Sequence, residues 1–197
     1  VKEALEINFN ILGYEITKRK DDRDDNILNR WVIKDKQLCN FFEKYSVGAI
    51  NKFLPDWVWG LSMEDSEILM NSMILGDGHI MKNGTLRYDT SSEKLADDFQ
   101  RLCLHAGYSA NKYLKSPAGN ESYCEPRNEI FKQTVNAYRL TVVKTQNKPL
   151  VNKYRKSNGD NSNDSIINYT GKVYCCQVNS GIIYVRNNGT PVWCGNS

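Results

Sequence analysis

Ala4, Leu5, Ile7, Ile11 and Leu12 recur at a spacing that gathers them on one side of a helix, so a helix is expected over residues 1–12, stopped by Gly13. The pattern then alternates. Tyr14 to Thr17 and Arg30 to Ile33 read as two strands of a hairpin joined by a charged turn at 18–25. Asp35 can cap a second helix, in which Leu38, Phe41, Phe42 and Tyr45 return at helical spacing. After a link at 51–56, Ser62 with Glu64 and Asp65 opens a third helix, whose apolar residues Ile68, Leu69, Met70, Met73 and Ile74 lead into Leu75-Gly76-Asp77-Gly78. A hairpin is expected at 81–86 around Asn83-Gly84, and Ser91 to Lys94 cap a helix over 95–106 that ends at Gly107. Strands at 109–114 and 137–144 flank a polar loop.

Residues 145–171 break the pattern, being poor in apolar side chains and rich in Asn, Ser, Lys and Gly, and read as a linker or exposed loop. The pattern resumes at 172–197 with two β-rich runs, 173–178 and 182–186, separated by Asn179-Ser180-Gly181. Asn187-Asn188-Gly189 then turns the chain into Val192-Trp193-Cys194. The class is α+β.

Composition adds bounds rather than chemistry. The 197 residues make one domain or two small ones, and a net charge of +3 is a mild bias toward polyanions. The six cysteines, Cys39, Cys103, Cys124, Cys175, Cys176 and Cys194, lack zinc-like spacing, and there is neither a signal peptide nor an apolar run of membrane length. A reduced, intracellular protein, in cytoplasm or nucleus and without a membrane partner, is the expectation.

Candidate chemistry sits in two stretches, the last three residues and residues 70–78. Gly195-Asn196-Ser197 joins a carboxamide that can reach its own backbone carbonyl to a hydroxyl that can accept an acyl group. With Val173-Tyr174-Cys175, the run from Ile182 to Val185 and the Asn-Gly turn, this end resembles the C-terminal splicing blocks of an intein, which belong to a Hint-type domain. The resemblance implies that Asn196 cyclises to a succinimide, that Ser197 is the first residue of the C-terminal extein and its nucleophile, and that Cys175 tunes the splicing steps. Splicing needs no cofactor. Two departures stand out: Gly195 replaces the usual penultimate histidine, and the upstream block histidine falls near Ile182. One positioned acid or base is worth about 10²–10⁴-fold.

Met70 to Gly78 resembles the nonapeptide of the LAGLIDADG homing endonucleases, and the αββαββα order after it matches their lobe. The resemblance implies that Asp77 binds Mg²⁺, that double-stranded DNA lies on the sheet, and that Lys144 stabilises phosphoryl charge; Leu75 occupies the other acidic position of the nonapeptide. Lys82, Arg87, Lys112, Lys115 and Arg139, interleaved with Tyr88 and Tyr113, are candidate DNA contacts, against the alternative of a solvated face of mixed charge. Lys144 is equally readable as a solvated strand end. His79 and His105 read as structural, since a lone histidine makes no metal site.

Residues 1–50 resemble the tail of a first endonuclease lobe, 51–144 a complete lobe, 145–171 a linker and 172–197 the splicing blocks. The chain therefore reads as the C-terminal portion of an intein with an embedded endonuclease, its partners being an N-terminal intein segment, the flanking exteins and DNA. Val1 is not a splicing nucleophile, and no N-terminal splicing block is found. A free-standing endonuclease or maturase dimerising through Met70 to Gly78, or a degenerate DNA-binding remnant, is the alternative.

Overall fold

In the computed structural model, residues 2–20, 29–45, 47–125, 128–145 and 168–195 are described. The amino-terminal segment follows its pattern: helix α1 (Lys2–Ile11), strands β1 (Ile16–Lys20) and β2 (Asn29–Ile33), and helix α2 (Lys36–Glu43). β1 and β2 are antiparallel with Ile16 opposite Ile33. Asp35 caps α2, its Oδ1 accepting from the Leu38 amide at 2.6 Å. No residue of α2 is buried. Phe41 on α2 instead opens a surface chain of rings with residues beyond the helix, Phe41 to Tyr45 at 5.7 Å and Tyr45 to Phe53 at 5.9 Å.

The core lies further on. Helix α3 (Met63–Asp77) starts at Ser62, whose Oγ accepts from the Asp65 amide at 3.0 Å. Strands β3 (Gly78–Ile80) and β4 (Leu86–Thr90) come next, then helix α4 (Glu93–His105), β5 (Ser109–Ser116), β6 (Glu121–Cys124), β7 (Glu129–Lys132) and β8 (Ala137–Val143). Four of these strands make one antiparallel sheet in the order β3-β4-β8-β5. Ser92 caps α4 by accepting from the Leu95 amide at 3.0 Å, while its own hydroxyl donates to the Lys52 carbonyl at 2.6 Å. The link before α3 is thereby stitched to α4. Asp98, buried on α4, completes the stitch by accepting from the Leu54 amide at 3.0 Å and pairing with Lys94.

Helices α3 and α4 cover one face of this sheet. Met70, Ile74, Leu95, Phe99, Leu102 and Cys103 meet Leu86, Tyr88, Ala110, Leu140 and Val142, all buried. Tyr88 and Phe99 stack with ring centroids 4.4 Å apart. Because strand side chains alternate, the buried Leu86, Tyr88, Leu140 and Ala110 assign their neighbours Arg87, Asp89, Arg139, Thr141 and Asn111 to the opposite face.

Two expectations are corrected. The polar loop between β5 and β8 holds a two-stranded ribbon, with Tyr123 opposite Ile130, turned at Asn128 with φ +51°. Residues 173–178 form no strand although the run is β-prone, and Val173 and Tyr174 are about as exposed as side chains become. The expected hairpin does form beyond them. β9 (Ile182–Asn187) and β10 (Thr190–Gly195) pair around Asn188 at φ +49° and Gly189 at φ +79°, the two left-handed residues that a tight hairpin turn of this hand requires.

That hairpin docks against α4 and β5. The Gly189 carbonyl accepts from the Lys112 amide at 3.0 Å and from Gln100 Nε2 at 2.9 Å. Arg186 Nη1 donates to Gln100 Oε1 at 3.0 Å and pairs with Asp97, and the Ser109 and Tyr184 hydroxyls lie 3.0 Å apart. No helix among the described residues is long and apolar enough to cross a membrane.

Candidate nucleic-acid interface

Helix α3 ends at Asp77 because the next residue, Gly78, lets a strand pass close by. A Cβ at Gly78 would stand 2.4 Å from the Arg87 carbonyl oxygen and 2.8 Å from that of Ile74, so β4 can approach the helix end only if that residue is glycine. The Asp77 side chain is 66% exposed, with Lys52 Nζ 3.8 Å away. Its charge is felt by Tyr88, whose hydroxyl is pushed up to about 12, first by burial and then by Asp77.

The resemblance implies Mg²⁺ here, and the test is the donor set. Among the described residues no three metal-ligating side chains cluster. Asp77 is one accessible carboxylate, which fits a cation that is held by one or two carboxylates and otherwise by waters and phosphate oxygens. It offers one donor, not a cage.

The open face of the sheet gathers the basic residues. Across it, register sets His79 beside Arg87, Arg87 beside Thr141 and Thr141 beside Asn111. The next row runs Asp89, Arg139, Tyr113. Arg87 Nε is buried without a hydrogen-bond partner among the described residues, an unspent donor on this face. Arg139 and Lys115 both pair with Asp89, at 2.6 Å and 2.7 Å. Lys82 is exposed in the β3–β4 turn, and Lys144 is exposed just after β8. Asp77 lies next to the Gly78–Tyr88 pair and Lys144 beyond the Thr141–Arg87 pair, so the fold does not bring those two together.

Lys112 stands elsewhere. It alternates with Asn111 and Tyr113 on β5, and so belongs to the helix-covered side, where its Nζ meets Asp97 at 2.6 Å and Glu93 at 3.4 Å. Tyr88 is likewise buried with the core rather than presented with Tyr113. Counting alternation from Leu86 would have separated them. Sequence reasoning also missed Asp89, Asp97 and Gln100, whose roles arise from partners on other strands. Burial by itself would raise the Asp97 carboxyl, but the hydrogen bonds and charges of Arg186 and Lys112 outweigh it and hold it below the ordinary range. His105 packs by Trp59 at 5.5 Å and its basicity is lowered by burial and by Arg101, which suits a structural residue.

At the carboxyl-terminal end, Asn196 and Ser197 lie outside the described residues. β10 leads directly into them, and register sets Gly195 directly opposite Ile182. Gly195, where the resembled family carries its penultimate histidine, thus lies across from the neighbourhood near Ile182 expected for the upstream one. Cys175 is exposed and precedes the hairpin.

Residues 69–157, which take in most of α3 and every element through β8, match the family model of the LAGLIDADG-like domain. Over its whole length the chain is 34% identical to part of the DNA-directed RNA polymerase subunit beta C-terminal section of Stigeoclonium helveticum, covering 20% of that protein. It is also 26% identical, again over its whole length, to part of the ATP-dependent Clp protease proteolytic subunit of Chlamydomonas moewusii, covering 27% of it. The chain thus spans about a fifth to a quarter of these relatives. Among solved structures, an I-DmoI variant in complex with its target DNA in the presence of 2 mM Mg aligns with a TM-score of 0.44 at 12% identity, over 72% of this chain and 64% of that one.

Proposed function

We propose that the chain is the C-terminal part of an intein with an embedded LAGLIDADG homing endonuclease, which excises itself from a host polypeptide and binds and cuts double-stranded DNA. One observation carries the splicing half. A segment matched along its entire length belongs to a protein named for an RNA polymerase subunit and to another named for a protease subunit. Those two activities share no working part, whereas a segment that leaves both hosts intact accounts for its presence in each.

The chemistry follows from the end of β10. Ser197 Oγ takes the upstream acyl group from an ester or thioester made by the N-terminal segment of the intein. The Asn196 side-chain nitrogen then attacks its own backbone carbonyl carbon, and the bond to the Ser197 nitrogen breaks. That nitrogen leaves as an amine with a proton, Asn196 ends as a succinimide, and a shift of the acyl group from Oγ to nitrogen restores a peptide bond. With Gly195 and Ile182 facing each other, no imidazole from the usual positions assists. Cyclisation forgoes the roughly 10²–10⁴-fold that one such group supplies, or draws it from elsewhere.

The DNA half is supported by the LAGLIDADG-like domain and by the open sheet face, on which Arg87, Arg139 and Lys115 outnumber Asp89. Lys82 and Lys144 supply phosphate contacts at its rim. Asp77 contributes one carboxylate to Mg²⁺, which when bound would stabilise charge at the scissile phosphate. Lys112, held by two carboxylates on the other side of the sheet, is not among the proposed contacts. An outward stripe on α3, Ile68, Ser72, Leu75 and Gly76, offers small and apolar residues to a partner helix.

The test is to express the complete reading frame that contains this segment and track polypeptide masses. Appearance of a host protein lacking the segment, with an excised fragment ending in a succinimide, is expected. A single stable polypeptide that retains the segment would overturn the splicing reading. Incubation with Mg²⁺ and a duplex of the host gene lacking the insertion tests the nuclease separately.

A further inference from the structure

The open face holds an acidic residue at its centre, where a surface selected only to attract phosphates would hold none. Asp89 on β4 and Arg139 on β8 are register partners. Arg139 donates from Nε to Asp89 Oδ1 at 2.7 Å and from Nη2 to Oδ2 at 2.6 Å, a fork on a fork. Lys115 Nζ reaches the same Oδ2 at 2.7 Å from β5. Tyr113 on β5 is the register partner of Arg139 on its other side. The carboxylate stays charged under all ordinary conditions, held at about 2, chiefly by Arg139.

A guanidinium has five N–H donors. Asp89 takes the Nε donor and one on Nη2, which leaves one on Nη2 and two on Nη1, and the planar group aims one from each Nη in parallel away from Asp89. Two parallel donors are what the O6 and N7 acceptors of guanine take in the major groove. A free arginine on the same strand would reach equally for phosphate, which carries no sequence information.

We propose that Asp89 is a specificity-determining residue, which positions Arg139 to read a guanine and keeps it from the phosphate backbone. The inference rests on the DNA-binding reading above and adds to it the base that is read and the residue that enforces the reading. Asp89 touches no base itself. Its negative charge lowers general affinity for DNA, and the return is discrimination at one base pair.

The experiment uses the whole chain and a pool of duplexes with a randomised core, without divalent metal, sequenced before and after binding. Wild type enriches guanine at one position by about tenfold or more over the other bases, the order expected of a bidentate arginine contact. Arg139→Ala loses that enrichment and leaves the other positions as they were. Asp89→Ala and the near-isosteric Asp89→Asn lose it at the same position while binding an unselected duplex more tightly, with a steeper dependence on salt as Arg139 and Lys115 turn to phosphates. A variant that merely unfolded would lose all binding, so the gain in unselected binding separates positioning from stability. Retention of the guanine preference in both Asp89 variants, or weaker unselected binding in Asp89→Asn, overturns the inference while DNA binding stands. Failure of wild type to bind any duplex overturns the DNA-binding reading, and the inference falls with it.

Discussion

Substituting Gly189 by alanine tests whether the carboxyl-terminal hairpin is a docked part of the molecule or a free appendage. The residue has φ +79°, and an added Cβ would stand 2.0 Å from the Lys112 carbonyl oxygen and 2.9 Å from its carbon. Left-handed backbone alone costs an L-residue about 1–2 kcal/mol. The clash is with backbone and cannot be relieved by a rotamer, so the turn must lift away from β5. Its carbonyl then leaves the Lys112 amide and Gln100 Nε2, two hydrogen bonds of about 0.5–1.5 kcal/mol each. The hairpin should lose on the order of 2–4 kcal/mol of docking, most of it local. Hydrogen exchange reads this directly: the Lys112 amide, whose acceptor in the fold is Gly189, should exchange roughly 30- to 1000-fold faster, while amides of β8 in the core keep their protection. Unchanged protection at Lys112 would refute the docking and the close approach together.

Other contacts and residues can be tested in the same spirit. Asp89 is held at about 2 against an ordinary 3.8, with the Arg139 hydrogen bonds the leading cause, so it adds stability that is full above about pH 4 and lost as pH falls toward 2. Acid melts of Asp89→Asn should therefore show a flatter loss over that window, and an identical acid limb would count against the ion pair. Phe99→Ala removes a fully buried ring stacked on Tyr88 and should cost about 3–5 kcal/mol in denaturant melts. Asn196→Ala should abolish cleavage at the C-terminal junction, and Ser197→Ala should block ligation while leaving cyclisation, both read by mass spectrometry. Asp77→Asn should remove Mg²⁺-dependent cutting in the reassembled protein without changing duplex affinity much, and undiminished cutting would dismiss Asp77 as a ligand.

Much of this architecture was legible in the sequence because its signals are local. Asp35, Ser62 and Ser92 each accept from an amide three residues on, and Gly13 and Gly107 stop helices at positive φ. Hydrophobic spacing and Asn-Gly turns likewise depend on neighbours a few positions away. So α1 through α4, β1, β2, β5, β8 and the last hairpin could be read directly, while the hairpin expected at 81–86 proves to be the turn between β3 and β4, whose strands lie on either side of it. The strand expected at 173–178 failed on that ground: β propensity is potential, and a strand exists only where a second strand supplies hydrogen bonds. The β6–β7 ribbon was hidden for the converse reason, since its strands, Glu121–Cys124 and Glu129–Lys132, are too short to show a pattern and are extended by pairing with each other.

The candidate site divides in the same way. The acidic helix end, with glycine after Asp77, is a feature of contiguous residues and was visible. Which basic residues share a face was not, and Lys112 lies on the far side from Arg139. The fold also decided that Asp89 meets Arg139 across 50 positions, and that Arg186 meets Asp97 across 89. The sequence by itself determined where helices and turns begin and end, because those choices are settled by atoms a few bonds away. Only the tertiary structure decided strand order, the face each charge occupies and the seat of the final hairpin, because these are fixed by contacts between segments far apart in the chain.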